Sequence, residues 1–437
     1  MKKILLIGAG RSSSQFIDHL SRNRELELKI VDGNSEAIAK LKSRYPEIQV
    51  ESKNIMDKEI RSALVQEADV VVSLLPADLH PLVAKDCLNH KKHFFTASYV
   101  PAEMEEWQDE ISDKGLFWLN ECGLDPGIDH MSACRAINKL KSEGAEIKEF
   151  YSHTGGLMEY SENENPWNYK ITWNPHNVVG SGKDGAYFKR DGKNSFVPYH
   201  RIFSTYNTLD IHDTGTFDVY FNRNSVQYVP LYGLENAETV IRGTLRYSGF
   251  CATWQKLVDM GMTHSNIKIN FKNTSMPEFM SLFLDSSLYK GETVESRIIR
   301  DFQLTGLDVQ KFHYLGLFNE ELKLNGIYSP ADVLIERMVD KITIKEGERD
   351  RIVMYHQLDY DLEGERKSTS LVLDAYGDDE ATAMAKTVGL PLAIALEKFL
   401  EGKIKLKGLH RPTRPEIYEP VLNEFEAFGI GFQHKED

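Results

Sequence analysis

The clearest sign of the fold is the sequence Ile4-Leu5-Leu6-Ile7-Gly8-Ala9-Gly10, near the start of the chain. Four consecutive apolar residues are typical of a strand buried on both faces of a parallel sheet, and a Gly-x-Gly turn follows at once. A helical spacing of apolar residues begins next, with Phe16 and Leu20. In this order Gly8 permits the tight turn, and Gly10 lets the backbone approach a pyrophosphate at the helix start. The stretch therefore predicts a dinucleotide-binding βαβ unit.

An acidic residue closes the next predicted strand. Leu26-Glu27-Leu28-Lys29-Ile30-Val31 is followed by Asp32, about 20 residues after the glycine turn. A carboxylate there can accept hydrogen bonds from both hydroxyls of an adenosine ribose, and it repels a 2′-phosphate. We therefore expect NAD as the cofactor, with NADP less favoured. The alternative is that Asp32 is only a turn residue before Gly33. Ser13 stands where the usual fingerprint has a third glycine, and it is small enough for close packing.

Strands and helices continue to alternate up to residue 121. Further strands are predicted at 48–50, 69–75, 93–99 and 116–121, and helices near 35–44, 57–66 and 79–90. This order predicts an α/β fold of the Rossmann type, with a doubly wound parallel sheet. Ligands of such sheets bind outside the carboxyl ends of the strands. We expect Ser98-Tyr99 and Leu124-Asp125 to converge there, because both follow strand ends.

The predicted cofactor contacts lie at these turns and strand ends, with one from the second half of the chain. They are Gly8, Gly10, Arg11, Ser12, Ser13, Asp32, Asn54, Ile55, Leu75, Ala97, Ser98, Leu124, Asp125, Pro126 and Asn174.

The dinucleotide-binding pattern ends at Gly123-Leu124-Asp125-Pro126-Gly127-Ile128-Asp129-His130. A periodic apolar run follows, so we predict Asp125 as a helix N-cap with Pro126 at the first helical position. From the spacing alone, capping is favoured over a functional role. Asp129 and His130 are metal-ligand types, but adjacent residues on a first helical turn diverge and no second ligand cluster is visible. No metal site is predicted.

Composition excludes several classes of protein. A length of 437 residues indicates two or three domains, and the net charge of −14 disfavours nucleic acid or an anionic membrane as partner. The first apolar run is too short for a signal peptide, and no run reaches the roughly 20 apolar residues of a membrane span. Four cysteines without metal-binding spacing indicate a reduced, cytoplasmic protein. Any anionic ligand must be bound by local arginines.

The second half of the chain has a different pattern of predicted strands and helices. Strands are predicted at 146–154, 215–221 and 226–232, with mainly helical structure over 250–340 and a hairpin formed by 351–362 and 367–375. The last long helix is predicted from near Asp378 to Gly402, with a kink at Pro391.

Several separate motifs, in the same order over nearly the whole chain, resemble the glutamate-forming branch of the saccharopine dehydrogenase family. They are Ser98-Tyr99, the junction 123–130, Gly155-Gly156-Leu157, Asn165-Pro166 with Tyr169-Lys170 and Trp173, Asn222-Arg223-Asn224-Ser225, 238–247 and 417–422.

The resemblance implies a reaction and a domain plan. NAD⁺ would take hydride from the carbon beside the secondary amine of saccharopine, and hydrolysis of the imine would give glutamate and aminoadipate semialdehyde. A Rossmann domain would span 1–125, and a substrate-binding α/β domain 126–402, with a helical insert near 250–340. Residues 403–437 would return toward the first domain. Members often dimerise, so a homodimer is expected.

The resemblance also implies roles for individual residues. Asp125 and Tyr99 match polar active-site positions beside the reacting nitrogen. Saccharopine has three carboxylates, which arginine binds well in a bidentate manner. The implied substrate contacts are Ser98, Tyr99, Asp125, Arg223, Thr244, Leu245 and Arg246, with Arg242 a weaker candidate. Without the resemblance, Arg223 would be interpreted as a surface charge at a strand end, and Arg246 as an ion pair on a loop.

Two departures from the family pattern leave alternatives open. Thr154 stands where relatives carry a cysteine, so a proton-transfer role at that position is in doubt. Asp32 stands where fungal NADP-using relatives have a basic pattern. Together, the two departures favour a catabolic NAD-linked enzyme over a biosynthetic reductase. The alternatives are a carboxy-polyamine dehydrogenase (carboxynorspermidine or homospermidine type), a lysine dehydrogenase, and a non-catalytic dinucleotide sensor.

Overall fold

The computed structural model describes residues 1–160, 165–285 and 291–436. Its strands are β1 Lys2–Ile7, β2 Leu26–Asp32, β3 Gln49–Ser52, β4 Val70–Ser73, β5 His93–Thr96, β6 Phe117–Leu119, β7 Glu146–Met158, β8 Ala186–Arg190, β9 Lys193–Val197, β10 Asn207–Ile211, β11 Gly215–Phe221, β12 Thr239–Tyr247, β13 Ile269–Ser275, β14 Lys323–Tyr328, β15 Asp350–Leu362, β16 Glu365–Tyr376, β17 Gly408–His410 and β18 Gln433–Glu436.

The α-helices of the same residues are α1 Ser14–Ser21, α2 Ser35–Arg44, α3 Lys58–Glu67, α4 His80–His90, α5 Ala102–Glu105, α6 Gln108–Asp113, α7 Ile128–Ser142, α8 Pro175–Val179, α9 Tyr228–Leu231, α10 Phe250–Met260, α11 Met276–Ser281, α12 Val294–Asp301, α13 Gly306–Tyr314, α14 Pro330–Ile342, α15 Ala383–Leu400 and α16 Pro415–Ala427. No helix in the described part of the chain is long and apolar enough to cross a bilayer.

The chain divides into two compact units. The first contains 1–147, 231–233 and 358–437, and the second contains 148–230 and 234–357. These limits differ from the predicted boundaries at residues 125 and 402. The predicted boundaries separate a dinucleotide-binding part of the chain from a substrate-binding part, and this division of roles stays a prediction.

The first unit contains a parallel sheet of seven strands in the order β3-β2-β1-β4-β5-β6-β17. Up to β6 this is the strand order of the Rossmann fold, so the predicted fold class is confirmed. The apolar run of β1 is buried from Ile4 to Ile7, as expected of a central parallel strand. The edge strand β17 comes from near the end of the chain, where no strand was predicted.

Helix α15 packs against α1 in this unit. A Cβ atom on Gly389 would lie 2.7 Å from the Ser12 carbonyl oxygen and 2.9 Å from the Phe16 amide nitrogen, so the two backbones nearly touch. The helix begins at Ala383, after the N-cap Thr382, and not near Asp378 as predicted. The reason is local, because the Asp378 carboxylate accepts the Glu380 and Ala381 amides and holds a turn there.

The second unit is built on a sheet with the order β10-β11-β12-β7-β15, in which β7 and β12 are parallel. The β8–β9 hairpin pairs with β12. Aromatic residues from several elements form the core beside this sheet, among them Trp167, Trp254 and Phe250. The predicted strand 215–221 is confirmed, and the predicted hairpin appears as β15 and β16.

One prediction for this half needs correction. The predicted strand 226–232 is wrong, because the chain forms the short helix α9 there. The Asn224 carboxamide accepts the Val226 and Gln227 amides, which starts a turn, and Pro230 has no N–H for a strand ladder. Residues 250–340 contain the antiparallel pair β13–β14 among their helices, and 286–290 lie outside the described residues.

Candidate functional site

The glycine turn after β1 leaves open space at the helix start. Gly8 has φ +103°, and a Cβ atom there would lie 2.6 Å from the Leu74 carbonyl oxygen, so this position needs glycine. A Cβ on Gly10 would meet nothing within 4 Å. A turn pressed against β4 on one side and open on the other fits the pyrophosphate of a dinucleotide.

Asp32 connects the end of β2 to this turn. Its Oδ2 accepts the Ala9 amide at 2.7 Å, and its Oδ1 accepts the Asn34 amide at 2.7 Å. The carboxylate is therefore a turn residue, as the alternative interpretation held, and it also fixes the glycine turn. A role toward a ribose is compatible with both contacts.

The next residues form a short 3₁₀ turn before α1. Ser13 is buried, and its hydroxyl donates to the Gly10 carbonyl at 2.7 Å, so it fills the place of the third glycine. Ser12 lies in the same turn, with its carbonyl facing Gly389. The Arg11 side chain, a predicted contact, lies outside what the structure describes.

Other predicted cofactor contacts lie at the ends of β3 and β4. The Asn54 carboxamide accepts the Met56 amide at 3.0 Å. Ile55 is part of the unit's apolar core, and Leu75 packs against that core. Their contacts with a cofactor stay predictions.

The loop from Gly123 to Gly127 overturns the prediction for Asp125 as an N-cap. The Gly123 amide donates to the Pro126 carbonyl at 3.0 Å, and the Ile128 amide donates to the Gly123 carbonyl at 2.8 Å. Gly127, at φ 149°, is the N-cap of α7, and the Asp125–Pro126 peptide is cis. A Cβ on Gly127 would lie 2.0 Å from the Gly123 carbonyl oxygen, so the chain turns too tightly for a helix to start earlier.

Asp125 instead contacts Tyr99. The Tyr99 hydroxyl donates to Asp125 Oδ1 at 3.0 Å, and both side chains are half-buried. Beneath them, a Cβ on Gly123 would lie 2.9 Å from the Ala97 Cβ, so the loop rests on the end of β5. The predicted convergence of Ser98-Tyr99 with Leu124-Asp125 is confirmed. A phenol and a carboxylate in contact can hold or relay a proton.

His80 is a neighbour that sequence reasoning missed. Its ring is buried between two hydroxyls, with Nδ1 2.8 Å from Ser73 Oγ and Nε2 2.7 Å from Ser98 Oγ. Burial lowers the pKa of His80 to about 4. The available signal was a serine ending β4 and a histidine beginning the next helix.

A second buried network surrounds His130. Its Nε2 lies 2.9 Å from Glu121 Oε2, its Nδ1 contacts the Tyr232 hydroxyl, and Arg411 Nε donates to Glu121 Oε1 at 2.9 Å. Burial alone would raise the pKa of the Glu121 carboxyl, but the contacts with His130 and Arg411 lower it to about 2. This network ties the start of α7 to the chain near β17.

In the second unit, Arg246 is a buried cation on β12. Its Nη1 donates to the Leu245 carbonyl at 2.8 Å, and its guanidinium lies 5.0 Å from the Tyr169 ring centre and 5.4 Å from that of Phe250. Its Nε has no hydrogen-bond partner, and no carboxylate pairs with Arg246 among the described residues. The interpretation of Arg246 as a loop ion pair is therefore wrong. Because a buried unpaired charge is costly, the site favours an anionic ligand.

The register of the sheet puts further polar groups on the same face. Side chains alternate along a strand, so Thr244 and Arg242 share the face of Arg246, while Leu245 points to the other. Thr154 on β7 is the partner of Thr244, and its buried hydroxyl has no hydrogen-bond partner in the described chain. This hydroxyl can hydrogen-bond a ligand, but it cannot supply the ionisable group of a cysteine.

Arg223 lies elsewhere. It is exposed, follows β11 and has φ 51°. The backbone amide of its neighbour Asn222 donates to the Arg242 carbonyl. Arg242 precedes Arg246 by four residues on β12, which places their backbones about 13 Å apart. Binding of one ligand by both arginines stays a prediction.

Asn174 caps α8, accepting the His176 amide at 2.9 Å, and its predicted cofactor contact also stays a prediction.

Lys311 is another buried group that the sequence did not reveal. Its Nζ donates to the Gly249 carbonyl and, at 3.0 Å, to the Thr253 hydroxyl, while Asp218 accepts the Gly249 amide at 3.0 Å. Burial lowers the pKa of Lys311 to about 8. These contacts fix the turn that joins Arg246 to Phe250.

Two family models match the chain. The model described as "Saccharopine dehydrogenase NADP binding domain" matches residues 4–119, and "Saccharopine dehydrogenase C-terminal domain" matches 123–430. Together they cover both compact units.

Individual proteins are similar over nearly the whole chain. "Alpha-aminoadipic semialdehyde synthase, mitochondrial" from Bos taurus is 32% identical over 98% of this chain, and the chain spans about half (47%) of that protein. "Saccharopine dehydrogenase [NADP(+), L-glutamate-forming]" from Saccharomyces cerevisiae is 31% identical, with 99% of each chain covered. A solved apo structure of saccharopine dehydrogenase (L-Glu forming) from the same yeast matches with a TM-score of 0.90 and 31% identity, over the full length of both chains.

Proposed function

The chain belongs to the saccharopine dehydrogenase family, and we propose that it oxidises saccharopine with a nicotinamide dinucleotide. Saccharopine, the oxidised dinucleotide and water would give glutamate, aminoadipate semialdehyde, the reduced dinucleotide and one proton. Glutamate keeps its amine in this reaction, so the hydride leaves the carbon on the lysyl side of the secondary amine. The bound dinucleotide supplies the hydride acceptor.

Residues of the first unit fit the dinucleotide. The open space at Gly10 and the amides at the start of α1 suit its pyrophosphate, and Asp32 suits the adenosine ribose. The matching family model and the yeast relative are both named for NADP. We propose NAD for this chain, because the Asp32 carboxylate at the end of β2 would repel a 2′-phosphate.

Tyr99 and Asp125 are the proposed proton-handling groups. Oxidation beside the amine gives an imine, and water addition then needs proton transfers at the nitrogen and at the water. The Tyr99 hydrogen bond holds the Asp125 carboxylate in one orientation, so that the carboxylate can accept a proton from the amine. Tyr99 can orient the nitrogen or the attacking water.

The observation that carries the substrate assignment is the buried, unpaired guanidinium of Arg246. A carboxylate would supply its missing hydrogen-bond acceptor and neutralise its charge. The Thr154 hydroxyl on the same face offers a further hydrogen bond to that ligand. Arg223 is proposed to bind another carboxylate of the same tricarboxylate.

A substrate panel tests this proposal. Absorbance at the NADH band is followed with saccharopine, lysine or carboxyspermidine, each with NAD⁺ and with NADP⁺. We expect reduction with saccharopine and none with the other two amines. Reduction with lysine or carboxyspermidine alone would assign the chain to another dehydrogenase of the superfamily. Dinucleotide binding without any reduction would identify a sensor.

A further inference from the structure

Ser73, His80 and Ser98 form a hydrogen-bonded chain at the carboxyl ends of β4 and β5. Ser73 is the last residue of β4 and is fully buried, while His80 begins α4. Ser98 follows β5 and is half-buried beside Tyr99. The ring nitrogens lie 2.8 Å from Ser73 Oγ and 2.7 Å from Ser98 Oγ.

The position of each proton follows from burial. Among the described residues, the only hydrogen-bond partner of the Ser73 hydroxyl is His80 Nδ1. A buried hydroxyl whose proton has no acceptor is costly, so Ser73 donates to Nδ1. Burial lowers the pKa of His80 to about 4, so the ring is neutral at pH 7 and carries one N–H. That N–H is on Nε2, and it donates to Ser98 Oγ.

The Ser98 hydroxyl therefore accepts from His80, and its own proton is directed away from the ring. In the described chain its oxygen contacts no side chain other than His80. The strands β4 and β5 lie on the opposite side of β1 from β2, which carries Asp32. Because Asp32 marks the adenosine side of the fold, β4 and β5 mark the nicotinamide side.

We propose that Ser73 and His80 are positioning residues that make Ser98 a hydrogen-bond donor to an oxygen of the nicotinamide half of the dinucleotide. A carboxamide or ribose oxygen is the kind of acceptor that fits. This inference rests on the proposed function for its ligand. The new element is that the Ser98 donor is oriented by His80, which does not itself contact the ligand.

Measurements of dinucleotide affinity test whether Ser98 binds the dinucleotide and whether His80 positions it. Fluorescence titration gives the dissociation constant of the reduced dinucleotide. The one used is NADH or NADPH, whichever the wild type binds more tightly. The variants are Ser98→Ala, His80→Phe, His80→Gln and the double variant His80→Phe/Ser98→Ala. His90→Phe is the matched control, because His90 ends the same helix and its Nε2 makes a similar 2.8 Å contact with Ser62 Oγ.

We expect Ser98→Ala and His80→Phe each to weaken binding about 3- to 10-fold, the effect of one lost hydrogen bond. The double variant should be no weaker than either single one. His80→Gln, whose amide can donate to Ser98 and accept from Ser73, should stay within about 3-fold of the wild type, and His90→Phe should bind normally.

Normal binding by His80→Phe, or additive losses in the double variant, would overturn the proposal. If His80→Phe does not fold, Ser73→Ala serves instead: it should weaken binding less than Ser98→Ala, and should add nothing to Ser98→Ala. An independent loss from Ser73→Ala would contradict the account. Because titration needs no turnover, a protein that shows these couplings but does not oxidise saccharopine would refute only the proposed function.

Discussion

The Tyr99 hydroxyl and Asp125 Oδ1 lie 3.0 Å apart, although 26 residues separate them in sequence. Tyr99 follows β5, and the loop that carries Asp125 follows the neighbouring strand β6. The tight turn at Gly127 leaves the Asp125 carboxylate out of the helix cap, so it remains at the carboxyl edge of the sheet. A catalytic role for Asp125 therefore does not compete with capping.

Replacement of Asp125 by asparagine should lower kcat by about 100-fold or more, because the amide cannot accept the amine proton. Steady-state kinetics test this, with Asp113→Asn as the control, since Asp113 is exposed. Activity within a few-fold of the wild type would remove Asp125 from proton transfer.

Replacement of Arg246 by alanine should raise the KM for saccharopine about 10- to 100-fold, the effect of losing a charged hydrogen bond. Dinucleotide affinity should stay unchanged, since Arg246 is a proposed substrate contact and not one of the proposed dinucleotide contacts. Kinetics at varied saccharopine concentration provide the measurement. A normal KM together with reduced thermal stability would show that Arg246 is structural.

Asp32→Ser should reduce the preference for NAD over NADP by about 10-fold or more, since the repulsion of a 2′-phosphate is removed. The ratio of kcat/KM for the two dinucleotides is the quantity to compare. Asp57→Asn is the control for loss of a carboxylate at another turn of the same unit, since Asp57 is the N-cap of α3. A wild-type enzyme that prefers NADP strongly would refute the cofactor proposal.

Gly389→Ala should destabilise the first unit by about 1–3 kcal/mol and weaken dinucleotide binding, because the added methyl would push on the backbone of Ser12 and Phe16. Thermal unfolding and fluorescence titration report the two effects. Gly306→Ala is the control, since a Cβ there meets nothing within 4 Å. Equal behaviour of the two variants would show that α15 does not position the glycine turn.

The Glu121 network should make the first unit sensitive to acid. Because the folded-state pKa of Glu121 is lowered to about 2, its stabilising contribution is complete above pH 4.5 and is lost as the pH falls toward 2. Glu121→Gln should lower the free energy of unfolding by about 3 kcal/mol at pH 7 and flatten the loss below pH 4.5. Thermal unfolding from pH 7 to pH 3 checks this, and an unchanged acid profile would contradict it.

The sequence predicted the first sheet well because its strands are short apolar runs ending in turn residues. The run Ile4–Ile7 and the residues after β5 could be placed from pattern alone. The turn at Gly127 could not, because it depends on backbone contacts within a five-residue loop rather than on helix spacing. Burial of Arg246 and the partners of His80 depend on residues distant in sequence, which no local pattern shows. Residues 226–232 were misjudged because the turn at Asn224 outweighed their apolar content.

Product analysis with isotopically labelled saccharopine tests the proposed reaction itself. Saccharopine carrying deuterium on the lysyl carbon beside the secondary amine is incubated with the enzyme and NAD⁺, and the products are identified by mass spectrometry. The account predicts deuterium in the reduced dinucleotide, with one glutamate formed for each dinucleotide reduced. Formation of lysine and 2-oxoglutarate, with no deuterium transferred, would contradict it.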